Sequence, residues 1–200
     1  MVELRTSFAP TTLDAVEQVL VRDAATPPSV ADVRVRALTT HRDPRGTLTE
    51  LLRTDWSDVY GDALPFAQVY TSTTAPGVAR DVDRWHLHQH QTDRFFCLSG
   101  RIVVAIADTR PESSTRGKIT LVELAAPPDG PAPLLVTIPA RTLHGFVVTS
   151  EEPAVLLNFP NRLYDPSDEG RVPFAEAAIT LPDGAPFDYG AVVAWYRERG

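Results

Sequence analysis

Cysteine and lysine are almost missing from this 200-residue chain. The single cysteine, Cys97, excludes an internal disulfide, and its place in the apolar run Phe95-Phe-Cys-Leu98 is that of a buried thiol rather than a nucleophile. Lys118 is the only lysine among 19 basic residues, so covalent lysine chemistry has one candidate. It opens the alternating stretch Lys118-Ile-Thr-Leu-Val-Glu-Leu124, which predicts an exposed strand start. No apolar run reaches the roughly 18 to 20 residues of a membrane span, and the N-terminus lacks the basic-then-apolar order of a signal peptide. The expected location is therefore cytoplasmic. Gly-x-Ser-x-Gly, Gly-x-x-x-x-Gly-Lys and Gly-x-Gly-x-x-Gly are all absent, which removes the main support for a serine hydrolase or a nucleotide-binding fold. A net charge of -7 and a pI near 5.2 argue against a nucleic-acid or acidic-membrane partner. Any anionic ligand must be met by local arginines.

What the chain does have is a histidine cluster. Arg84-Trp-His-Leu-His-Gln-His-Gln-Thr-Asp93 holds three of the five histidines and ends on a carboxylate. Side chains alternate along a strand, so His86, His88 and His90 can share one face of a sheet. The plainer reading is polar surface. It applies best to His90, as a solvated strand end, and to His41, alone in a loop.

Leu13, Val16 and Leu20 recur at helical spacing after Thr11 and Thr12, predicting a helix over 12–21. A linker with Pro27-Pro28 follows. From Val33 the period falls towards 2, and ten strands are expected: 33–40, 48–53, 67–73, 85–90, 94–98, 102–107, 119–124, 134–138, 145–149 and 155–159. Turn signals separate them, among them Asp43-Pro-Arg-Gly46, Ser99-Gly100 and Pro127-Pro-Asp-Gly-Pro131. Many short strands with few helices indicate an all-β sandwich or barrel, and 191–199 reads as a terminal helix.

Two short motifs resemble those of the cupin jelly roll (the double-stranded β-helix). His86, His88, Asp93 and Gly100 lie at the spacing of the first. Pro139-Ala-Arg-Thr-Leu-His144 is similar to the second, Pro-x-Gly-x-x-His, with Arg141 where glycine is usual. The resemblance implies a first segment of helix and linker (1–32), a cupin barrel (33–165) and a C-terminal extension packed on it (166–200). It also implies His144 on a strand facing His86 and His88. With Asp93, these side chains form a ligand set suited to Fe²⁺, Mn²⁺, Ni²⁺ or Zn²⁺. Asp93 reads equally as an ion-pair partner of an arginine such as Arg94. No organic cofactor is indicated.

A resemblance over about residues 39–169 is more specific. Asp43-Pro-Arg-Gly-Thr-Leu-Thr-Glu50, Gly77-Val-Ala-Arg80, Asp108-Thr-Arg-Pro-Glu-Ser-Ser-Thr-Arg-Gly117, Ile138-Pro139 with His144-Gly-Phe146, and Tyr164-Asp-Pro-Ser-Asp-Glu-Gly170 occur in order. Together they are similar to segments of the dTDP-4-dehydrorhamnose 3,5-epimerase family, a cupin family that works without a metal. The resemblance implies His86 as the base that removes a proton beside a sugar ketone and His144 in the same pocket. It implies substrate contacts at Arg45, Glu50, Gln68, Arg80, Asn158 and Glu169, and a homodimer. Arg45 reads equally as a turn residue, and Glu169 as a loop carboxylate. Departures from the family fall inside the pocket: His88 stands for a glutamine, Asp93 for a lysine, and Asn158 for the proton-donating tyrosine. Tyr70 and Tyr164 are candidates for the lost phenol, and Asp188 for the carboxylate partner of the base.

The expected function is thus an epimerase-like isomerase acting on a keto-sugar, nucleotide-linked or otherwise enolisable, with a divalent metal as a possible aid. The alternatives are a metal-dependent cupin oxygenase or lyase, and a non-catalytic module that binds a sugar nucleotide.

Overall fold

The computed structural model describes residues 4–125 and 132–199, so the Pro127–Pro131 turn signal lies outside the described residues. The architecture is the cupin jelly roll, two mainly antiparallel sheets packed face to face, with helices on one outer surface. The six-stranded sheet comprises β1 (Leu20–Val21), β6 (Arg84–His88), β8 (Arg101–Ala107), β9 (Ile119–Ala125), β11 (Leu143–Val148) and β13 (Glu169–Pro173), in the order β1-β9-β8-β11-β6-β13. The five-stranded sheet comprises β2 (Arg34–Ala37), β5 (Tyr70–Thr74), β7 (Asp93–Ser99), β10 (Leu134–Ile138) and β12 (Ala154–Asn158), in the order β2-β10-β7-β12-β5. A separate hairpin joins β3 (Thr40–Asp43) to β4 (Gly46–Thr49).

The two-residue period decides which side chains face inward. Ile102, Val104 and Ile106 of β8 enter the core between the sheets with Phe95, Cys97, Val122, Val136 and Leu156. Their neighbours Val103, Ala105 and Ala107 face the other way, into a second core beneath α1 (Pro10–Gln18) and α3 (Tyr189–Arg199). Strands covered on both faces read as continuous apolar runs, as Ile102 to Ala107 does.

Several elements differ from expectation, and the strand expected over 48–53 is the shorter β4, Gly46–Thr49. The first helix starts at Pro10, a residue suited to the first helical turn, and stops at Gln18. Leu20 and Val21 instead pair in parallel with Leu121 and Val122, because a sheet edge offers them both hydrogen bonds and burial. Strand β13 and the short helix α2 (Phe174–Ala177) carry no apolar alternation that would reveal them. Cys97 is buried, and burial pushes its thiol up to about 11, while Lys118 is exposed just ahead of β9. Among the described residues no helix is long and apolar enough to cross a membrane.

Candidate active site

At one end of the sandwich the inward positions change from aliphatic to polar. On β6 the inward residues are His86 and His88, while Trp85 and Leu87 face the helix-covered core. His144 lies directly opposite His86 on β11, and Arg171 and Glu169 of β13 lie opposite His86 and His88. The facing sheet contributes Asp93 and Asn158, and Tyr70 on β5 pairs with Asn158. The two sets of side chains enclose a cavity of about 190 Å³, lined in part by Tyr70, Arg80, His86, Asp93, His144 and Arg171.

Hydrogen bonds order this cluster. His86 Nε2 lies 2.9 Å from His88 Nε2, so one proton is shared between the rings. The Gln91 side-chain amide donates to Asp93 Oδ1 at 2.8 Å and lies 3.1 Å from His88 Nε2. Asn158 Nδ2 donates to Asp93 Oδ1 and to the Tyr70 hydroxyl, both at 2.7 Å. His144 Nε2 is 3.3 Å from Asp93 Oδ2, and His86 Nε2 is 3.7 Å from Glu169 Oε1. Asp168 fixes the loop beyond β6 by accepting the backbone N–H groups of Gln89, His90 and Gln91.

These surroundings set the charge states. Burial, then the neighbouring imidazoles His144 and His88, push His86 down to about 3, so it is neutral at physiological pH. His88 is lowered by burial, against the pull of Asp93. Burial alone would raise Asp93, but hydrogen bonding and charge from His144, with help from His88 and Asn158, hold it at about 2. Burial, then the Asp93 charge, raise Tyr70 to about 12, so its phenol keeps its proton. A neutral imidazole and a protonated phenol face the same cavity.

The donor set also fits a divalent ion. Ring nitrogens of His86, His88 and His144 all lie within 4.8 Å of one another, and the Asp93 carboxylate lies beside them. Those three imidazoles would hold the ion, which would polarise a ketone oxygen as a Lewis acid. His86 cannot both ligate an ion and accept a proton.

The residues expected from the sequence separate into two groups. His86, His144, Arg80 and Asp93 line the cavity, with His88, Asn158 and Glu169 bonded or adjacent to its walls. Gln68 is half-buried two residues before β5. Arg45 and Glu50 do not join them: Arg45 sits at the tip of the β3–β4 hairpin, 90% exposed and paired with Asp43, and Glu50 accepts a bond from Arg53. Asp188 bonds the Gly190 amide at the start of α3, so it is no partner of His86. Tyr164 is exposed, with its hydroxyl directed to Glu169. His90 and His41 are exposed outside the cavity. Sequence reasoning missed Gln91, Asp168 and Arg171. Gln91 and Asp168 lie within stretches already singled out, but Arg171 follows directly after one and carried no signal of its own.

Known proteins share sequence and fold with this chain. The sequence profile of the dTDP-4-dehydrorhamnose 3,5-epimerase family matches residues 27–186. The chain is 37% identical over 150 residues to the probable low-salt glycan biosynthesis epimerase Agl13 of Haloferax volcanii, covering 74% of this chain and 90% of that protein. It is 31% identical over 149 residues to the spore coat polysaccharide biosynthesis protein SpsL of Bacillus subtilis, covering 74% and 91%. Among solved structures, dTDP-4-dehydrorhamnose 3,5-epimerase from Elizabethkingia anophelis superposes with a TM-score of 0.63 at 27% identity, covering 82% of this chain and 84% of that one. NovW, a 4-keto-6-deoxy sugar epimerase from Streptomyces spheroides, gives 0.64 at 26%, covering 80% of each.

Proposed function

The chain belongs to the dTDP-4-dehydrorhamnose 3,5-epimerase family, and from that membership we propose that it inverts a carbon beside the ketone of a nucleotide-linked keto-sugar, with His86 as base and Tyr70 as acid. One observation supports this above all: His86 and Tyr70 line a single cavity from facing sheets.

In this reading the neutral His86 ring takes the proton from the carbon next to the ketone, leaving an enolate. Glu169 Oε1, 3.7 Å from His86 Nε2, offsets the new positive charge. The guanidiniums of Arg80 and Arg171, which line the cavity, supply positive charge for the enolate oxygen where the family has a lysine. Tyr70 then gives its proton to the opposite face of the same carbon, and inversion results. The tyrosine of the family is replaced by Asn158, and the phenol stands one strand away, directly paired with it. Asn158 keeps a positioning role, since its amide N–H holds the Tyr70 oxygen. Arg45 and Glu50 reach no part of their own cavity, so their contact with substrate requires a second copy, in keeping with a homodimer.

The test is solvent deuterium wash-in at the carbons flanking the ketone of a dTDP-linked 4-keto-6-deoxy sugar. His86→Ala should lower it by about 10²- to 10⁴-fold. A second reading, a metal-dependent oxygenase or lyase, draws on the three convergent imidazoles. It requires about one equivalent of Fe, Mn, Ni or Zn in the purified protein, reduced by His88→Ala. Binding of the sugar nucleotide with no wash-in and no turnover would mark a non-catalytic module.

A further inference from the structure

Asp168 and Gln91 have no part in the chemistry described above, yet both are buried against one imidazole, that of His88. Asp168 is fixed by the backbone. Its Oδ1 accepts the N–H groups of Gln89 and His90 at 3.0 Å each, and its Oδ2 accepts that of Gln91 at 3.1 Å. Held this way, Oδ2 stands 3.6 Å from His88 Nδ1, a sealed nitrogen that makes no hydrogen bond among the described residues. Gln91 is fixed at the other nitrogen of the ring. Its Nε2 is 2.8 Å from Asp93 Oδ1, and a carboxylate oxygen only accepts, so this end of the side chain is the NH₂ group. The same Nε2 lies 3.1 Å from His88 Nε2.

A neutral imidazole carries one proton, and these neighbours decide where it sits. With the proton on Nδ1, His88 presents an N–H to the Asp168 carboxylate and a lone pair to the Gln91 amide. With the proton on Nε2, a lone pair would face the carboxylate and two N–H donors would meet at 3.1 Å. Only the first arrangement makes both contacts attractive. His88 Nε2 is therefore an acceptor, and the proton in its 2.9 Å contact with His86 belongs to His86 Nε2. The lone pair of His86 is then on Nδ1. That atom makes no hydrogen bond among the described residues and, in contrast to His88 Nδ1, is not sealed from solvent, on a ring that lines the cavity.

We infer that Asp168 and Gln91 are positioning residues: they hold His88 in its Nδ1–H form, which holds His86 in its Nε2–H form and leaves His86 Nδ1 as the atom that takes the substrate proton. In that step the electron pair of the C–H bond stays behind in the enolate, Nδ1 gains the proton and Nε2 keeps its own. The role of Nδ1 as base rests on the proposed epimerase function, whereas the two tautomers do not.

Nuclear magnetic resonance of ¹⁵N-labelled, chelator-treated protein at neutral pH reads the tautomers, because protonated and lone-pair ring nitrogens resonate apart. The signals are assigned by their loss in His86→Ala and His88→Ala. The wild type should show His88 protonated at Nδ1 and His86 at Nε2. Asp168→Asn keeps an oxygen for the Gln89 and His90 amides but turns an NH₂ group towards His88 Nδ1, so both rings should reverse. In turnover this variant should lose about 10²- to 10⁴-fold in kcat with KM within about twofold, and Asp168→Glu, which restores a carboxylate, should recover about tenfold or more. The inference is overturned if wild-type His88 is protonated at Nε2, if wild-type His86 is protonated at Nδ1, or if a folded Asp168→Asn keeps both wild-type tautomers. The inferred tautomers in a wild type without wash-in would instead overturn the epimerase reading and leave the positioning of both rings standing.

Discussion

Tyr70→Phe separates proton removal from proton return. The substitution deletes one oxygen from a residue that is 46% exposed, so the core is untouched. Its structural cost is the bond from Asn158 Nδ2 at 2.7 Å; Asn158 is fully buried and retains its bond to Asp93. One unsatisfied amide N–H costs about 1–3 kcal/mol, which a domain of this size tolerates. The catalytic cost is larger. A positioned general acid contributes about 10²- to 10⁴-fold, or roughly 3–5 kcal/mol of barrier. His86, on the other sheet, still removes the proton and can return a deuteron to the same face. In deuterated water the variant should therefore keep substrate wash-in within about tenfold of wild type while inverted product falls by about 10²- to 10⁴-fold. Nuclear magnetic resonance reads both quantities in one tube. Inversion at the wild-type rate would refute the assignment, and so would equal loss of wash-in and inversion in a variant that remains folded.

Three further predictions concern stability. Arg94 is fully buried and donates to the carbonyls of Phe159 and Val59 at 2.6 Å, Pro65 at 2.8 Å and Leu64 at 3.1 Å; Arg94→Ala strands these acceptors and should cost about 3–5 kcal/mol by urea denaturation. A loss below about 1 kcal/mol would mean that the clamp on residues 59–65 is not structural. Arg141 adopts φ 66°, which explains why glycine is usual at that place in the motif; Arg141→Gly should be more stable than Arg141→Ala by about 1 kcal/mol, since both lose the ion pair to Glu112 and only glycine relieves the backbone. Finally, His86 is depressed from 6.5 to about 3, so the unfolded chain binds a proton that the folded chain refuses. Its contribution is complete above about pH 6.5 and is lost as pH falls towards 3, at about 1.4 kcal/mol per pH unit. Asp93, depressed from 3.8 to about 2, adds a loss of the same sign at lower pH. His86→Gln should flatten the upper part of that slope, and an unchanged slope would contradict the burial argument.

The fold was legible where one face of a strand is apolar. Ile102 to Ala107 and Leu134 to Ile138 announce themselves because both faces are covered, and the same alternation places His86 and His88 together. Strand β13 was not legible because its inward residues, Glu169 and Arg171, are charged and serve the cavity rather than the core. Leu20 continued a helical pattern and yet joined a sheet edge, since local periodicity carries no information about a strand a hundred residues away. Within the site, His86, His88, Asp93 and His144 were recognisable by residue type and spacing. Tyr70 could be named only as one of two phenols, because its value depends on cross-strand pairing with Asn158.

The central claim is that the neutral imidazole of His86 acts as a base and does not hold an ion. It is tested most directly by measuring deuterium wash-in and metal content on the same protein after exhaustive chelation. The account predicts wash-in at the undiminished rate with far less than one equivalent of metal remaining. Loss of wash-in on chelation, restored by one equivalent of Fe²⁺, Mn²⁺, Ni²⁺ or Zn²⁺, would contradict it and make the three imidazoles a metal site.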